Sequence, residues 1–253
     1  IAVKTSLITL AFFLIGLPIM FKRRLGDGRF FILLWAFLWF MPFTVIGGKF
    51  ARYFTFAEPL ILIVAAVGFC FAMKWLTEKL FGNSPLSFVC QLILIGLLIA
   101  APLFNALSAA PHFRMFTNQI GGGMAAAGTY FPHDEFYDTS TREIITAISS
   151  LAEPKAVVAC ETPALFEYYE NKSGVKNLNF VSLSDKGKVA ALRTGDLIVI
   201  TRGRRYFSNT AYEDYLKSSS TPSADIKIAG LTSALIYRLD ESSLAKIQAI
   251  AKQ

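Results

Sequence analysis

The sequence predicts an α-helical membrane segment of about four transmembrane helices (residues 1–109) followed by a small α/β domain (residues 110–253). Two properties of the whole chain point to a membrane: 54% of its 253 residues are hydrophobic, and its mean hydropathy is +0.47. The charge distribution separates the two parts. Residues 1–109 hold nine Lys and Arg against three acids, whereas residues 110–253 hold sixteen against fifteen.

Four apolar runs lie at about 3–21, 30–47, 55–73 and 86–108, each close to the roughly 20 residues that cross a hydrocarbon core. The second run contains FFILLWAFLWFMPFTVI, which has no charge and is apolar on every side. A water-soluble amphipathic helix would instead have one polar face. Each run is therefore predicted to be a transmembrane helix.

The loops between the runs predict an orientation. The loops at 21–29 and 74–84 carry four and two cations, and the loop between them, at 47–54, carries two. Because cytoplasmic loops are enriched in Lys and Arg, the first two are predicted to be cytoplasmic. This predicts a multi-pass protein of a bacterial inner (plasma) membrane, with a periplasmic C-terminal domain. Cations confined to short loops do not form a nucleic-acid-binding face, so nucleic acid is excluded as a partner.

After residue 110 the pattern changes to short β-branched strands alternating with helix-period segments, which is typical of an α/β domain with a mainly parallel sheet. Ser140 and Glu143 have the spacing of a helix capping box. The predicted elements are helices at 139–152, 162–174, 185–192 and 209–218, strands at 156–160, 178–183 and 196–201, and a hairpin at 224–240 around Gly230.

The stretch GGKFARYFTFAEPL (47–60) places Lys49, Arg52 and Tyr53 at the edge of the third apolar run. Aromatic and cationic side chains commonly anchor a helix at the membrane interface, and this interpretation stays open. A second interpretation is a lipid phosphate site, because Arg offers two parallel donors and Lys a point charge. Glu58 is expected to pair with Arg52 or Lys49, since a carboxylate at this depth normally faces protein or water.

Two segments resemble a known family. Lys49, the Arg52-Tyr53 pair and Pro59 match a K-x-x-R-Y-x(5)-P stretch, and PHFRMFTNQIGGGMAAAGTYFPHDEFYD (111–138) supplies an aromatic stretch, an Asn and a Gly-Gly. Together they resemble polytopic glycosyltransferases of the GT-C type. The more specific resemblance is to bacterial relatives of the dolichyl-phosphate-mannose protein mannosyltransferases and of the aminoarabinose transferases of lipid A.

The resemblance implies a hexosyltransferase whose donor is a polyprenyl phosphate carrying one sugar. Lys49, Arg52 and Tyr53 would bind the donor phosphate, and the acceptor would be a glycan, a lipid or a protein at the outer face of the bilayer. The family's catalytic carboxylate lies near its N-terminus, so the catalytic residue is expected upstream of Ile1 and the chain by itself is expected to be inactive. A divalent cation is left open as a cofactor, and no residue is assigned to a metal.

The loop RGRRYF follows the last predicted parallel strand, and it makes Arg202, Arg204 and Arg205 candidates for contacts with an acceptor or with lipid headgroups. A solvated basic loop is the alternative. Two other classes of function remain. One is a non-catalytic, membrane-anchored periplasmic binding or scaffold domain. The other is a different polyprenyl-linked enzyme, such as an oligosaccharyltransferase or a ligase, although the Trp-Trp-Asp signature of the former is absent.

Overall fold

The computed structural model describes residues 2–22, 28–45, 51–80, 86–174 and 178–252. Over these ranges the chain is a mixed α/β protein with nine α-helices and one five-stranded sheet. It divides into two compact units, Ile1–Asp134 and Glu135–Gln253, and each is described by itself. The domain boundary predicted after residue 109 stays a prediction.

The first unit is built from four apolar helices and short 3-10 turns. Its helices are α1 (Leu7–Phe21), α2 (Arg29–Val45), α3 (Glu58–Leu80) and α4 (Leu86–Ala109), and a 3-10 turn, Ala51–Ala57, leads directly into α3.

The prediction of about four transmembrane helices is wrong. Within the described residues two helical segments, Tyr53–Lys79 and Phe88–Ala109, are long and apolar enough to cross a membrane. The helices α1 and α2 have 15 and 17 residues. At about 1.5 Å per residue they fall short of a hydrocarbon core about 30 Å thick. The first apolar run is shortened because residues 2–5 form a turn and α1 begins only at Leu7.

The helices α1 and α3 pack backbone to backbone through two glycines. A Cβ atom on Gly16 would overlap the Val64 carbonyl oxygen, and one on Gly68 would overlap the Phe12 carbonyl oxygen. Small residues permit this close approach, which lets van der Waals contact hold apolar helices together. Beside them, the rings of Phe12 and Phe69 meet edge to face at 5.2 Å.

The second unit contains the sheet. Its helices are α5 (Thr141–Leu151), α6 (Pro163–Ser173), α7 (Lys186–Ala190), α8 (Thr210–Ser219) and α9 (Glu241–Ala251), and its strands are β1 (Val157–Cys160), β2 (Asn179–Ser182), β3 (Leu197–Thr201), β4 (Ala224–Ile228) and β5 (Leu231–Arg238). Most of these elements match the predicted ones within a few residues, and α9 was not predicted. The strand order is β2-β1-β3-β5-β4.

The sheet is mixed rather than mainly parallel. Strand β1 pairs in parallel with β2 and β3, whereas β5 pairs antiparallel with both β3 and β4. The predicted hairpin is confirmed, and its turn has positive φ at Ala229 (50°) and Gly230 (80°). Such a turn matches the twist of the two strands that it joins.

The helices of the second unit cover both faces of the sheet. One core cluster contains Ile144 and Ile148 of α5 and Phe166 of α6, and the other contains Leu216 of α8 and Ile247 of α9. The chain therefore leaves β1 toward one face, through α6, and β3 toward the other, through α8, so the carboxyl ends of these adjacent strands form a topological switch point. In open α/β sheets ligands bind at this position.

Candidate functional site

The 3-10 turn before α3 carries the residues for which a phosphate-binding role was predicted. Lys49 lies outside the described residues, and so does the side chain of Arg52, so their role stays a prediction. Tyr53 is 37% exposed, and its ring stacks on Phe43 at a centroid distance of 5.6 Å. Its carbonyl oxygen accepts a hydrogen bond from Trp39 Nε1 at 3.0 Å. These contacts fix the turn against the end of α2.

An apolar cavity of about 270 Å³ lies between α1, α2 and α3. Phe40 lines this cavity and also stacks on Phe54 of the 3-10 turn at 6.0 Å. Leu60 and Ile61, in the first turn of α3, contribute buried side chains to the lining. The lining residues are all apolar: Ala2, Leu10, Phe13, Leu17, Ile32, Leu33, Ala36, Phe40, Leu60, Ile61 and Val64. The cavity therefore offers a wholly apolar lining close to the turn that carries Tyr53.

Glu58 is the first residue of α3. A carboxylate in the first turn of a helix is stabilised by the positive end of the helix dipole. The ion pair predicted with Arg52 or Lys49 falls outside the described residues and stays a prediction.

The segment after α4 docks onto the start of the chain through Asn118. The Asn118 side-chain nitrogen donates to the carbonyl oxygens of Ala2 (2.6 Å) and Thr5 (2.8 Å), and its backbone N–H donates to the Val3 carbonyl (2.8 Å). The Asn118 side-chain oxygen accepts from the Gly121 N–H at 3.0 Å. The Asn and Gly-Gly of the family resemblance are thus part of a structural clamp that shortens the first apolar run.

In the second unit, the candidate arginines 202, 204 and 205 lie in the loop after β3. Arg204 forms a two-pronged ion pair with Asp138, with Nε 2.9 Å from Oδ1, and this hydrogen bonding raises the pKa of the Arg204 guanidinium. Arg205 Nε donates to Glu213 Oε2 at 2.7 Å. The Arg202 guanidinium lies 4.1 Å from the Phe136 ring centroid. Two of the three charges are therefore offset by carboxylates of the same unit.

A polar cluster that was not predicted occupies the switch point. Glu161 directly follows β1, Ser184 follows β2, and Asn209 follows β3 at the start of α8. The Asn209 side-chain nitrogen donates to Glu161 Oε2 at 2.7 Å and to Ser184 Oγ at 3.1 Å. Asn209 is only 4% exposed, so the loops after all three parallel strands converge on one buried amide.

The surroundings of this cluster combine a desolvated carboxyl group with exposed rings. Glu161 Oε1 accepts from the Tyr206 backbone N–H at 3.3 Å, and burial raises the pKa of the Glu161 carboxyl. The neighbouring Phe207 side chain is 99% exposed and Tyr206 is 44% exposed. The only sequence signal for the cluster was the position of Glu161 at the end of a predicted strand.

The described residues form a mixed α/β protein with two helices that could span a membrane. No protein-family model, curated protein or solved structure matches the chain. Its function is therefore argued from its own residues.

Proposed function

We propose that this chain is part of a bacterial inner-membrane glycosyltransferase that uses a polyprenyl-phosphate-linked sugar as donor. The observation that carries the proposal is the wholly apolar cavity between α1, α2 and α3, which adjoins the turn bearing Tyr53. A polyprenyl chain matches that lining, because burying its apolar surface is favourable and no polar side chain would lose a partner.

A lipid chain in the cavity would bring its phosphate to the turn that carries Tyr53. Lys49 and Arg52 are the cations close to Tyr53 in the sequence, and their charge-assisted hydrogen bonds are suited to a phosphate at headgroup depth. The Tyr53 hydroxyl supplies a further donor. In the reaction, an acceptor oxygen attacks the anomeric carbon, the bond from that carbon to the phosphate oxygen breaks, and the acceptor proton passes to a carboxylate base.

The role of the cations is to stabilise the charge left on the phosphate as the bond breaks. Preorganised positive groups at such a position lower the barrier because they need no reorganisation during the reaction. The second unit would then lie in the periplasm, where it would meet the acceptor. The helices of the first unit would cross the membrane more than once.

The cavity is tested by filling it. Ala36→Trp and Leu60→Trp, made in the full-length protein in nanodiscs, are expected to weaken the binding of undecaprenyl phosphate at least about tenfold, because overpacking removes the space for the chain. Leu103→Trp is the control, since Leu103 is exposed on α4 and does not line the cavity. Unchanged binding in both cavity variants, or an equal loss in the control, would overturn the proposal.

The phosphate contacts are tested by comparing undecaprenyl phosphate with undecaprenol. Lys49→Gln with Arg52→Gln should weaken phosphate binding by about tenfold or more while binding of the alcohol stays the same, since each charged hydrogen bond contributes about 1.5–3 kcal/mol. Lys74→Gln with Lys79→Gln removes two charges toward the other end of α3 and serves as the control. Equal effects on both lipids would show that the two cations do not contact a phosphate.

A membrane-anchored binding domain without chemistry is the second candidate, and the convergent Glu161, Ser184 and Asn209 cluster favours it. The two candidates differ in one measurement on the full-length protein. Release of undecaprenyl phosphate from a sugar-charged donor supports the transferase, whereas donor binding without release supports the binding domain.

A further inference from the structure

A cleft between α5 and α6 has the chemistry of an anion site. It has a volume of about 360 Å³ and is lined by Arg142, Ile145 and Thr146 of α5 and by Tyr169, Lys172 and Ser173 of α6. The two helices are held side by side because Ile144 and Ile148 of α5 and Phe166 of α6 share one buried core cluster. The cleft thus opens outward from a packed support.

Among the residues that the structure describes, two cations and no carboxylate line this cleft. Neither Arg142 nor Lys172 forms an ion pair within the described residues, unlike Arg204, Arg205 and Arg238 of the same unit. Arg142 lies 5.8 Å from the centroid of the Tyr169 ring, and Lys172 lies 5.8 Å from that of Tyr168. Contact with aromatic faces positions these cations without neutralising them.

The buried carboxylate of α6 is already engaged elsewhere. Glu170 is buried, and its Oε1 accepts a hydrogen bond from the Leu178 N–H at 3.0 Å. The hydroxyl protons are committed as well, since Thr146 Oγ donates to the Arg142 carbonyl (3.1 Å) and Ser173 Oγ donates to the Glu170 carbonyl (2.8 Å). The donors that remain for a ligand are therefore Arg142, Lys172 and the Tyr169 phenol.

We propose that this cleft binds a phosphate group carried by a ligand about as large as a monosaccharide. The two cations of the lining favour an anion, and a guanidinium together with an ammonium suits phosphate oxygens. The volume falls at the lower end of the roughly 300–1,000 Å³ typical of small-molecule sites, which leaves room for a sugar as well as a phosphate. The phosphate comes either from a soluble sugar phosphate or from a lipid headgroup. The inference does not rest on the glycosyltransferase function.

Isothermal titration calorimetry measures the affinity of the full chain, in a neutral detergent, for glucose 1-phosphate. Arg142→Gln with Lys172→Gln is expected to weaken binding at least about tenfold. The matched control is Lys246→Gln with Lys252→Gln, which removes the same charge at α9, a helix whose core residues lie on the opposite face of the sheet. Thr146→Trp fills the cleft without changing its charge and should also abolish binding, and circular dichroism checks that each variant is folded.

A second set of measurements distinguishes a soluble sugar phosphate from a lipid headgroup. Glucose serves as the ligand without phosphate, and vesicles of phosphatidylglycerol or phosphatidylcholine serve as anionic and neutral surfaces. Preference for glucose 1-phosphate over glucose supports a soluble ligand, and loss of phosphatidylglycerol binding in the Arg142/Lys172 variant supports a headgroup. The proposal is overturned if neither probe binds, if the control variant loses as much affinity, or if Thr146→Trp binds like the wild type.

Discussion

At the scale of single residues, Glu161 joins the sheet to the loop after β3. Its carboxyl group accepts hydrogen bonds from Asn209 and from the Tyr206 backbone, yet burial prevails and raises its pKa above the ordinary value of 4.5. A carboxyl group whose pKa is raised by folding binds its proton more tightly in the folded state. Its contribution to stability is therefore complete below pH 4.5 and is lost as the pH rises through the folded-state pKa.

We therefore expect Glu161→Gln to flatten the decline in the free energy of unfolding between pH 4.5 and pH 7, because glutamine stays neutral over that range. The measurement is urea unfolding of the full chain in detergent, followed by circular dichroism at several pH values. Glu167→Gln is the control, since Glu167 is an exposed carboxylate on α6, the helix that follows Glu161. If the free energy of unfolding declines as steeply in Glu161→Gln as in the wild type, the ionisation of Glu161 is not the cause of the decline.

At the scale of secondary-structure elements, the contact between α1 and α3 depends on two glycines. Neither glycine leaves room for a Cβ atom, and the obstacle in each case is the backbone of the other helix, which cannot rotate away. Gly96 of α4 differs, because a Cβ there would meet nothing within 4 Å.

We expect Gly16→Ala and Gly68→Ala to destabilise the first unit by about 1–3 kcal/mol, the usual cost of overpacking, partly offset by the better helix propensity of alanine. Gly96→Ala should be neutral or slightly stabilising because only the propensity changes. Thermal unfolding of the three variants in one detergent measures the difference. Equal melting temperatures for all three would mean that α1 and α3 do not pack this closely.

Periodicity and turn residues predicted the type of most elements. Local sequence patterns failed where tertiary contacts determine the bounds or the cap of a helix. The first apolar run reads as one long helix, yet Asn118 holds residues 2–5 in a turn and removes them from α1. The capping box predicted at Ser140 is also wrong, because the Ser140 hydroxyl accepts a hydrogen bond from Ser233 at 2.8 Å instead of capping α5. A capping box does form at Asp240 and Ser243, which opens the unpredicted α9.

The candidate sites differ in the same way, because some lie within one short stretch of sequence and others are assembled by tertiary contacts. The Lys49, Arg52 and Tyr53 stretch could be predicted from the sequence because its residues lie within five positions of each other, and its role stays a prediction. The cluster of Glu161, Ser184 and Asn209 spans three loops, and only the strand order β2-β1-β3 brings those loops together. The cleft between α5 and α6 likewise depends on helix packing, which a single sequence does not specify.

At the scale of the whole molecule, the two units differ in what stabilises them. In the first unit many large apolar side chains are exposed, including Phe104 at 72% and Leu107 at 66%, so a hydrocarbon environment suits it. Both hydrophobic core clusters of the sheet consist entirely of residues from the second unit. That unit therefore contains the apolar contacts needed to fold in water.

We accordingly expect residues 135–253, expressed without the helices before them, to be soluble and to unfold in urea in one cooperative transition. The expected dependence of the free energy on urea is about 1–3 kcal/mol per molar, as for other small domains. Ile148→Ala should lower the stability by about 2–5 kcal/mol without changing that slope, because Ile148 is fully buried between α5 and the sheet. Exposed Thr146→Ala on the same helix is the matched control. A gradual transition, or a slope reduced to a fraction of this value, would mean that the second unit lacks a complete core of its own and requires the first unit to fold.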